Sequence, residues 1–167
     1  MDLQVRRLHE RDSLELLTEM LHTAYKELAD MGCNITAASQ TVETTAHRVG
    51  KGDCFVAEVD GRLVGTATLV KEFGPEDPEE YKDPQTVVLG QFGVLPEFRK
   101  LGVGLALMDA VKLQAFQMGY ATLALDTPQP ATHLIEYYQR RGFKLVGSVQ
   151  WPGKTYLSVL MSLNLDT

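Results

Sequence analysis

A chain of 167 residues, 44% of them apolar and 23% charged, has the size and composition of one packed domain that closes a core without disulfides or a structural metal. A formal net charge of -6 and a pI near 5.2 set the surface as a whole against phosphate backbones, which argues against a general nucleic-acid binder. Cys33 and Cys54 stand in no CxxC or paired-histidine spacing, so neither a metal site nor a disulfide framework is expected.

No apolar run is long enough to cross a bilayer, and no basic-then-apolar leader precedes Leu3, so the expectation is a cytoplasmic protein with no membrane partner. A strand over Leu3 to Arg7 leads to a helix that Asp12 or Ser13 can cap, with Leu17, Leu21, Ala24 and Leu28 at helical spacing and Gly32 as its stop. Val42, Ala46 and Val49 suggest a second, shorter helix, preceded by Ser39 and ended by Gly50 and Gly52. Strand patterns from Cys54 to Val59 and Leu63 to Val70 flank Asp60-Gly61, a pair suited to the positive φ of a tight hairpin.

A turn-rich acidic loop runs from Phe73 to Pro84 and reads as a solvated loop that would favour cationic acceptors if it borders a site. Thr86 to Val94 is a strand with Gly90 and Gly93 as candidate bulge positions, closed by Pro96. Gly102 to Met118 is helical, with Leu107, Met108, Val111 and Ala115 on one face and Gly119 at its end. A strand at Ala121 to Leu125, a helix from about Ala131 to Arg141, and strands near Phe143 to Val149 and Tyr156 to Leu163 complete the chain. The expected order is β-α-α-β-β-β-α-β-α-β-β, a single α/β domain over residues 1–167.

Chemistry concentrates between the strand ending at Val94 and the next helix, at Arg99-Lys100-Leu101-Gly102-Val103-Gly104. A helix N-terminus presents unpaired N–H groups and the positive end of its dipole, and glycines let phosphate oxygens reach the main chain. The nucleotide-triphosphate loop would need Gly-Lys-Ser/Thr where Gly104-Leu105-Ala106 stands. A dinucleotide fingerprint would need a small residue where Leu107 stands.

Gly93-Val94-Leu95-Pro96-Glu97-Phe98-Arg99-Lys100-Leu101-Gly102-Val103-Gly104 resembles the acetyl-CoA motif of the GNAT superfamily, Arg/Gln-x-x-Gly-x-Gly/Ala preceded by Val-x-Pro. Leu134 to Phe143, with Tyr138 four residues before Gly142-Phe143, is similar to the same family's Leu-Tyr-x-x-x-Gly-Phe segment. The resemblance implies a mostly antiparallel mixed sheet with helices on both faces, splayed between its fourth and fifth strands. It implies an N-acetyltransferase that takes acetyl-CoA as cosubstrate and acetylates a primary amine, with a small-molecule acceptor as the leading reading and peptide acceptors or a non-catalytic CoA-binding module as alternatives. It also implies that Phe92 and Val94 pair with the pantetheine arm, that Gly93 belongs to this strand site, and that N–H groups from Arg99 to Gly104 hold the pyrophosphate. Tyr138 falls where the family's hydroxyl protonates the departing thiolate. A homodimer paired through the strand at Tyr156 to Leu163 is a further expectation, beside the alternative that this strand is internal.

Two positions depart from the family pattern: Thr86 to Val94 holds no Asp, Glu or His, and Ala131 replaces an asparagine that contacts CoA. The general base is therefore open, with Asp126, just past the fifth strand, and Glu72, where the third strand leaves the sheet, as candidates. An acidic residue of the 73–84 loop is a further one.

Overall fold

The computed structural model describes residues 1–165 and contains β1 (Leu3–Arg7), α1 (Leu14–Asp30), α2 (Val42–Val49), β2 (Gly52–Val59), β3 (Arg62–Val70), β4 (Thr86–Val94), α3 (Val103–Gln117), β5 (Thr122–Pro128), α4 (Thr132–Arg140), β6 (Lys144–Val149) and β7 (Ser158–Asn164). This is the expected order of elements. The strands form one seven-stranded sheet, β1-β2-β3-β4-β5-β7-β6. Every pairing is antiparallel except β4 with β5.

Two glycines show how helices cover both faces. Thr66 faces Gly93 across the β3–β4 ladder and Gly65 faces Val94, so Gly65 and Gly93 point to opposite sides. A Cβ at Gly65 would meet Leu107 of α3 at 3.0 Å, and one at Gly93 would meet the Tyr25 ring of α1 at 3.1 Å and Ala24 at 3.2 Å. Helix α1 thus lies on one face and α3 on the other, each drawn close where a side chain is missing. Leu17, Leu21, Leu69, Leu107, Val111, Leu123 and Met161, all fully buried, join the layers in one core.

The sheet splits along its parallel pair. Strands β4 and β5 are paired only at Thr86↔Thr122, Val87↔Leu123 and Val88↔Ala124. Beyond that, β4 follows β3 while β5 stays with β7 through Pro128↔Ser158. The cause lies in β4: Thr68 faces Gly90 and Thr66 faces Gly93, so β4 carries an extra residue over the same span of β3. The bulge thus falls between Gly90 and Gly93, the two candidate positions, although neither glycine takes the left-handed conformation there. Gln91 does, at φ 47, while the flanking glycines make room for Val70 and for α1.

Of the two candidate caps of α1, Ser13 serves, accepting from Leu16 N–H at 3.1 Å. Corrections are local. Thr41, not Ser39, caps α2, and the residue α2 buries is Thr45 instead of the apolar stripe. Helix α3 begins at Val103, with Gly102 as its cap. Strand β5 runs on to Pro128, so Asp126 lies within it and not past it. The C-terminal strand is internal, held by β5 on one side and β6 on the other, so the edge offered for a homodimer is already filled. The hairpin turn at Asp60-Gly61 has the expected positive φ values of 50 and 82.

Asp12 is released from capping because the Arg6 fork takes both of its oxygens at 2.8 Å, with Glu58 as a second partner. The guanidinium holds the Asp12 carboxyl down to about 2. A depressed carboxyl stabilises the fold above its ordinary 3.8 and loses that contribution as pH falls toward its folded value. Asp12→Asn should therefore cost about 1–2 kcal/mol at pH 7, and thermal melts of variant and wild type should converge between pH 4 and pH 2.

Candidate active site

The turn between β4 and α3 presents a row of main-chain donors. Lys100 and Gly102 have φ values of 66 and 85, which carry the chain from Arg99 into α3. The first hydrogen bond of the helix is Ala106 N–H to Gly102 O, at 3.0 Å. The N–H groups of residues 100–105 have no acceptor among the described residues. Successive N–H groups opening onto a helix N-terminus form an anion cradle, as the motif implies. Gly104 keeps it open: a Cβ there would stand 3.0 Å from the Tyr137 hydroxyl.

Arg99 has another task. Its N–H is bonded to Pro96 O, and its guanidinium reaches α1, donating to Glu27 at 2.8 Å and to the Ala24 carbonyl at 2.7 Å. Its side chain therefore staples the loop to α1, and the free N–H row starts at Lys100. Leu101 is exposed and contributes through its main chain, whereas Val103 is fully buried and anchors the first turn of α3.

Past Val88, the outer edge of β4 has no neighbouring strand. Leu95 N–H points inward to Val64 O, so by alternation the main-chain groups of Val94 and Phe92 face the cleft. Their carbonyls already accept bonds: Phe92 O from the Tyr25 hydroxyl at 2.7 Å, Val94 O from Arg99 Nε at 3.2 Å. Burial pushes Tyr25 up to about 12, so it remains a donor. The N–H groups are what this edge has left to offer an extended ligand.

Tyr138 is buried in an aromatic cluster, edge-on to Phe143 at 5.7 Å and to Tyr137 at 5.4 Å. Its hydroxyl makes no hydrogen bond among the described residues, and the side chain lines the cavity. Burial lifts its pKa well above the usual range, so it holds its proton. Arg141 stacks on the Tyr137 ring at 3.6 Å. His133 turns instead to Glu27, at 3.4 Å.

A cavity of about 980 Å³ includes the 99–104 turn, the split between β4 and β5, and a chamber walled by Tyr81 and Trp151. Asp126 is two residues past Ala124, the last β5 residue paired to β4, and so sits in the split. Its Oδ2 accepts from the Tyr81 hydroxyl at 2.5 Å and its Oδ1 from Trp151 Nε1 at 3.0 Å. Burial raises its pKa above 3.8, against the opposing effect of these two donors. Glu72 also lines the cavity but is exposed, with no hydrogen bond among the described residues. The split therefore brings Asp126 together with Tyr138 and the β4 edge, and leaves Glu72 at the rim.

The acidic loop is less solvated than its composition suggests, because Tyr81 folds back from it, 3% exposed, against Val88, Ala124 and Leu160. The β6–β7 loop closes from the other side. Asn34 donates to Gly153 O at 2.9 Å and accepts from Thr155 N–H at 2.8 Å, and Lys154 Nζ reaches Thr36 at 2.8 Å. These bonds latch the loop after α1 to the β6–β7 loop.

Sequence reasoning missed Tyr81, Arg48, Gln40 and Gln91, all but Gln40 lining the cavity. An amide between two glycines in an otherwise apolar strand was a signal for Gln91. Arg48, in the last turn of α2, reads in sequence as an ordinary dipole-complementing charge.

Comparison with known proteins agrees with this fold. Residues 15–143 match the family model described as the acetyltransferase (GNAT) family. The chain is 29% identical over 160 residues to an S-(2-succino)cysteine N-acetyltransferase of Bacillus subtilis, covering 93% of this chain and 92% of that one. The ribosomal-protein-S18-alanine N-acetyltransferase of Escherichia coli superposes with a TM-score of 0.76 at 16% identity, over 99% and 96% of the two chains. A GNAT family acetyltransferase from Elizabethkingia anophelis with acetyl-CoA bound superposes with a TM-score of 0.70 at 16% identity, over 97% of each chain.

Proposed function

Because the chain belongs to the GNAT acetyltransferase family, and is thus an N-acetyltransferase dependent on acetyl-CoA, we propose that its acceptor is the primary amine of a small molecule, attacked directly within a ternary complex. The observation that carries this reading is the latch between residues 34–36 and 153–155, which with Tyr81 and Trp151 walls the far end of the cavity. A peptide acceptor needs an extended groove; this chamber suits a compact one. The name of the Bacillus subtilis relative, an enzyme of S-(2-succino)cysteine, is consistent with a small acceptor.

The free N–H groups of residues 100–105 would hold the pyrophosphate, and the N–H groups of Phe92 and Val94 the pantetheine arm. Acetyl-CoA supplies an acyl group activated as a thioester. The protein's part is to deliver a neutral amine to it. A primary amine of pKa about 10.4 gives up its proton at neutral pH at a cost of roughly 4–5 kcal/mol. Asp126, recessed in the split, would take that proton directly or through water. As the carbon–nitrogen bond forms and the carbon–sulfur bond breaks, Tyr138 donates its proton to the departing sulfur.

The test is to incubate purified protein with acetyl-CoA and panels of small primary amines and of peptides, following thiol release. Turnover with small amines and none with peptides is expected; efficient acetylation of peptides alone would reverse the assignment. Tyr138→Phe should lower kcat about 100-fold with acetyl-CoA affinity intact, and a loss under about tenfold would remove Tyr138 from the role of acid.

A further inference from the structure

Among the groups lining the cavity, a chain of side chains on the α2 side is not used by the acetyl-transfer chemistry. Arg48 stands in the last turn of α2, partly buried, and forms no ion pair among the described residues. Burial pushes its guanidinium below the ordinary range. The protein bond it makes runs from Nη1 to Gln40 Oε1, at 2.9 Å.

A guanidinium can only donate, so this bond fixes which way the Gln40 amide faces. Gln40 Nε2 then donates to Thr45 Oγ1 at 2.8 Å and to Gln91 Oε1 at 2.7 Å. That in turn leaves the Gln91 amide nitrogen pointing away from Gln40. Gln91 is 5% exposed, and its Nε2 has no partner among the described residues. It is also the residue held at φ 47 in the β4 bulge.

An orphaned buried donor on a strained residue and a recessed cation with no ion-pair partner in contact among the described residues are each unfavourable. Both line the cavity that holds Asp126. The chain Arg48–Gln40–Gln91 thus offers donors at each end, while Asp126 offers a carboxylate from β5. Such a chamber is polarised to match a molecule carrying both an ammonium group and a carboxylate.

We propose that Arg48 and Gln91 bind a carboxylate of the acceptor, so that the enzyme selects amines that also carry a carboxylate group, amino acids among them. This rests on the reading of the chamber as the acceptor site. A carboxylate would meet the Arg48 fork in charge-assisted bonds and satisfy the Gln91 amide, whereas a neutral carboxamide has one acceptor oxygen and no charge and would turn an NH2 donor toward the other. Arg48 and Gln91 are specificity residues here, remote in role from the proton transfers of Asp126 and Tyr138.

The test begins with a probe that needs no turnover. In calorimetric titrations with coenzyme A present, wild-type protein should bind succinate and not the neutral succinamide. Arg48→Met should weaken succinate binding by about 30-fold or more, with Arg48→Lys restoring part of it. Gln91→Leu, which leaves the cation in place, should weaken it by a smaller factor and serves if Arg48→Met does not fold. Among amines matched as carboxylate and carboxamide, the wild-type preference for the carboxylate should collapse in Arg48→Met while acetyl-CoA affinity holds. Failure of wild-type protein to bind succinate, or equal binding by folded Arg48→Met, overturns the proposal. Failure to acetylate any small amine overturns the acceptor assignment above instead, and the titration still decides the role of Arg48.

Discussion

Replacing Gly104 by valine should abolish acetyl-CoA binding in a calorimetric titration, a loss of about a thousandfold or more, while the protein remains folded. The backbone at Gly104 is ordinary helix, where valine is no less favourable than glycine in propensity. Space is the obstacle: the Cβ would lie 3.0 Å from the Tyr137 hydroxyl and 3.7 Å from the Phe92 ring, within the row of N–H groups assigned to the pyrophosphate. Gly102 provides the contrast. A Cβ there meets nothing within 4 Å, but φ is 85, so Gly102→Ala strains the backbone. It should lower stability by about 1–2 kcal/mol and weaken binding less than Gly104→Val does. Equal acetyl-CoA affinity in Gly104→Val and wild type would remove the cradle from this turn.

The same two glycines show what was legible in the sequence. Element order, the Asp60-Gly61 hairpin and the turn before α3 depend on local rules of periodicity, φ and capping, and these are carried by the residues themselves. The bulge falls between Gly90 and Gly93, the two sites the sequence offers, but the glycines serve close packing while Gln91 between them takes the left-handed φ. Gln40 donates to the Gln91 side chain from 51 residues away, and no local pattern contains such a partner. Of the two candidate caps of α1, Asp12 goes instead to the Arg6 fork of β1, six residues back, and Ser13 takes the cap. Tyr81 belongs to an acidic loop by composition and to the cavity wall by tertiary contact with Asp126, 45 residues on. Residues marked by motif or spacing, such as Gly104 and Tyr138, line the cavity and were legible, whereas those brought there with a long-range hydrogen bond, such as Gln91 and Tyr81, were not.

Asp126→Asn should separate function from stability. If Asp126 receives the acceptor's proton, the asparagine variant should lose about 100- to 1,000-fold in kcat with acetyl-CoA affinity unchanged, since an amide has no basicity in this range. The variant can keep both neighbours: Trp151 Nε1 only donates and would take the amide oxygen, while the Tyr81 hydroxyl can turn to accept from the amide nitrogen. Burial raises Asp126 above 3.8, which reverses the usual sign for a carboxyl. In the window from 3.8 up to its folded pKa the native state binds more protons than the unfolded chain, so the Asp126 contribution to stability falls as pH rises and stays lost above that window. Asparagine carries no such penalty. Thermal melts at pH 7 should therefore find the variant at least as stable as wild type, with its advantage fading as pH is lowered toward 4. A variant that is inactive and also markedly less stable at pH 7 would show that Asp126 is a structural ion whose bonds to Tyr81 and Trp151 hold the chamber, and the base would have to be sought at Glu72 or in the 73–84 loop.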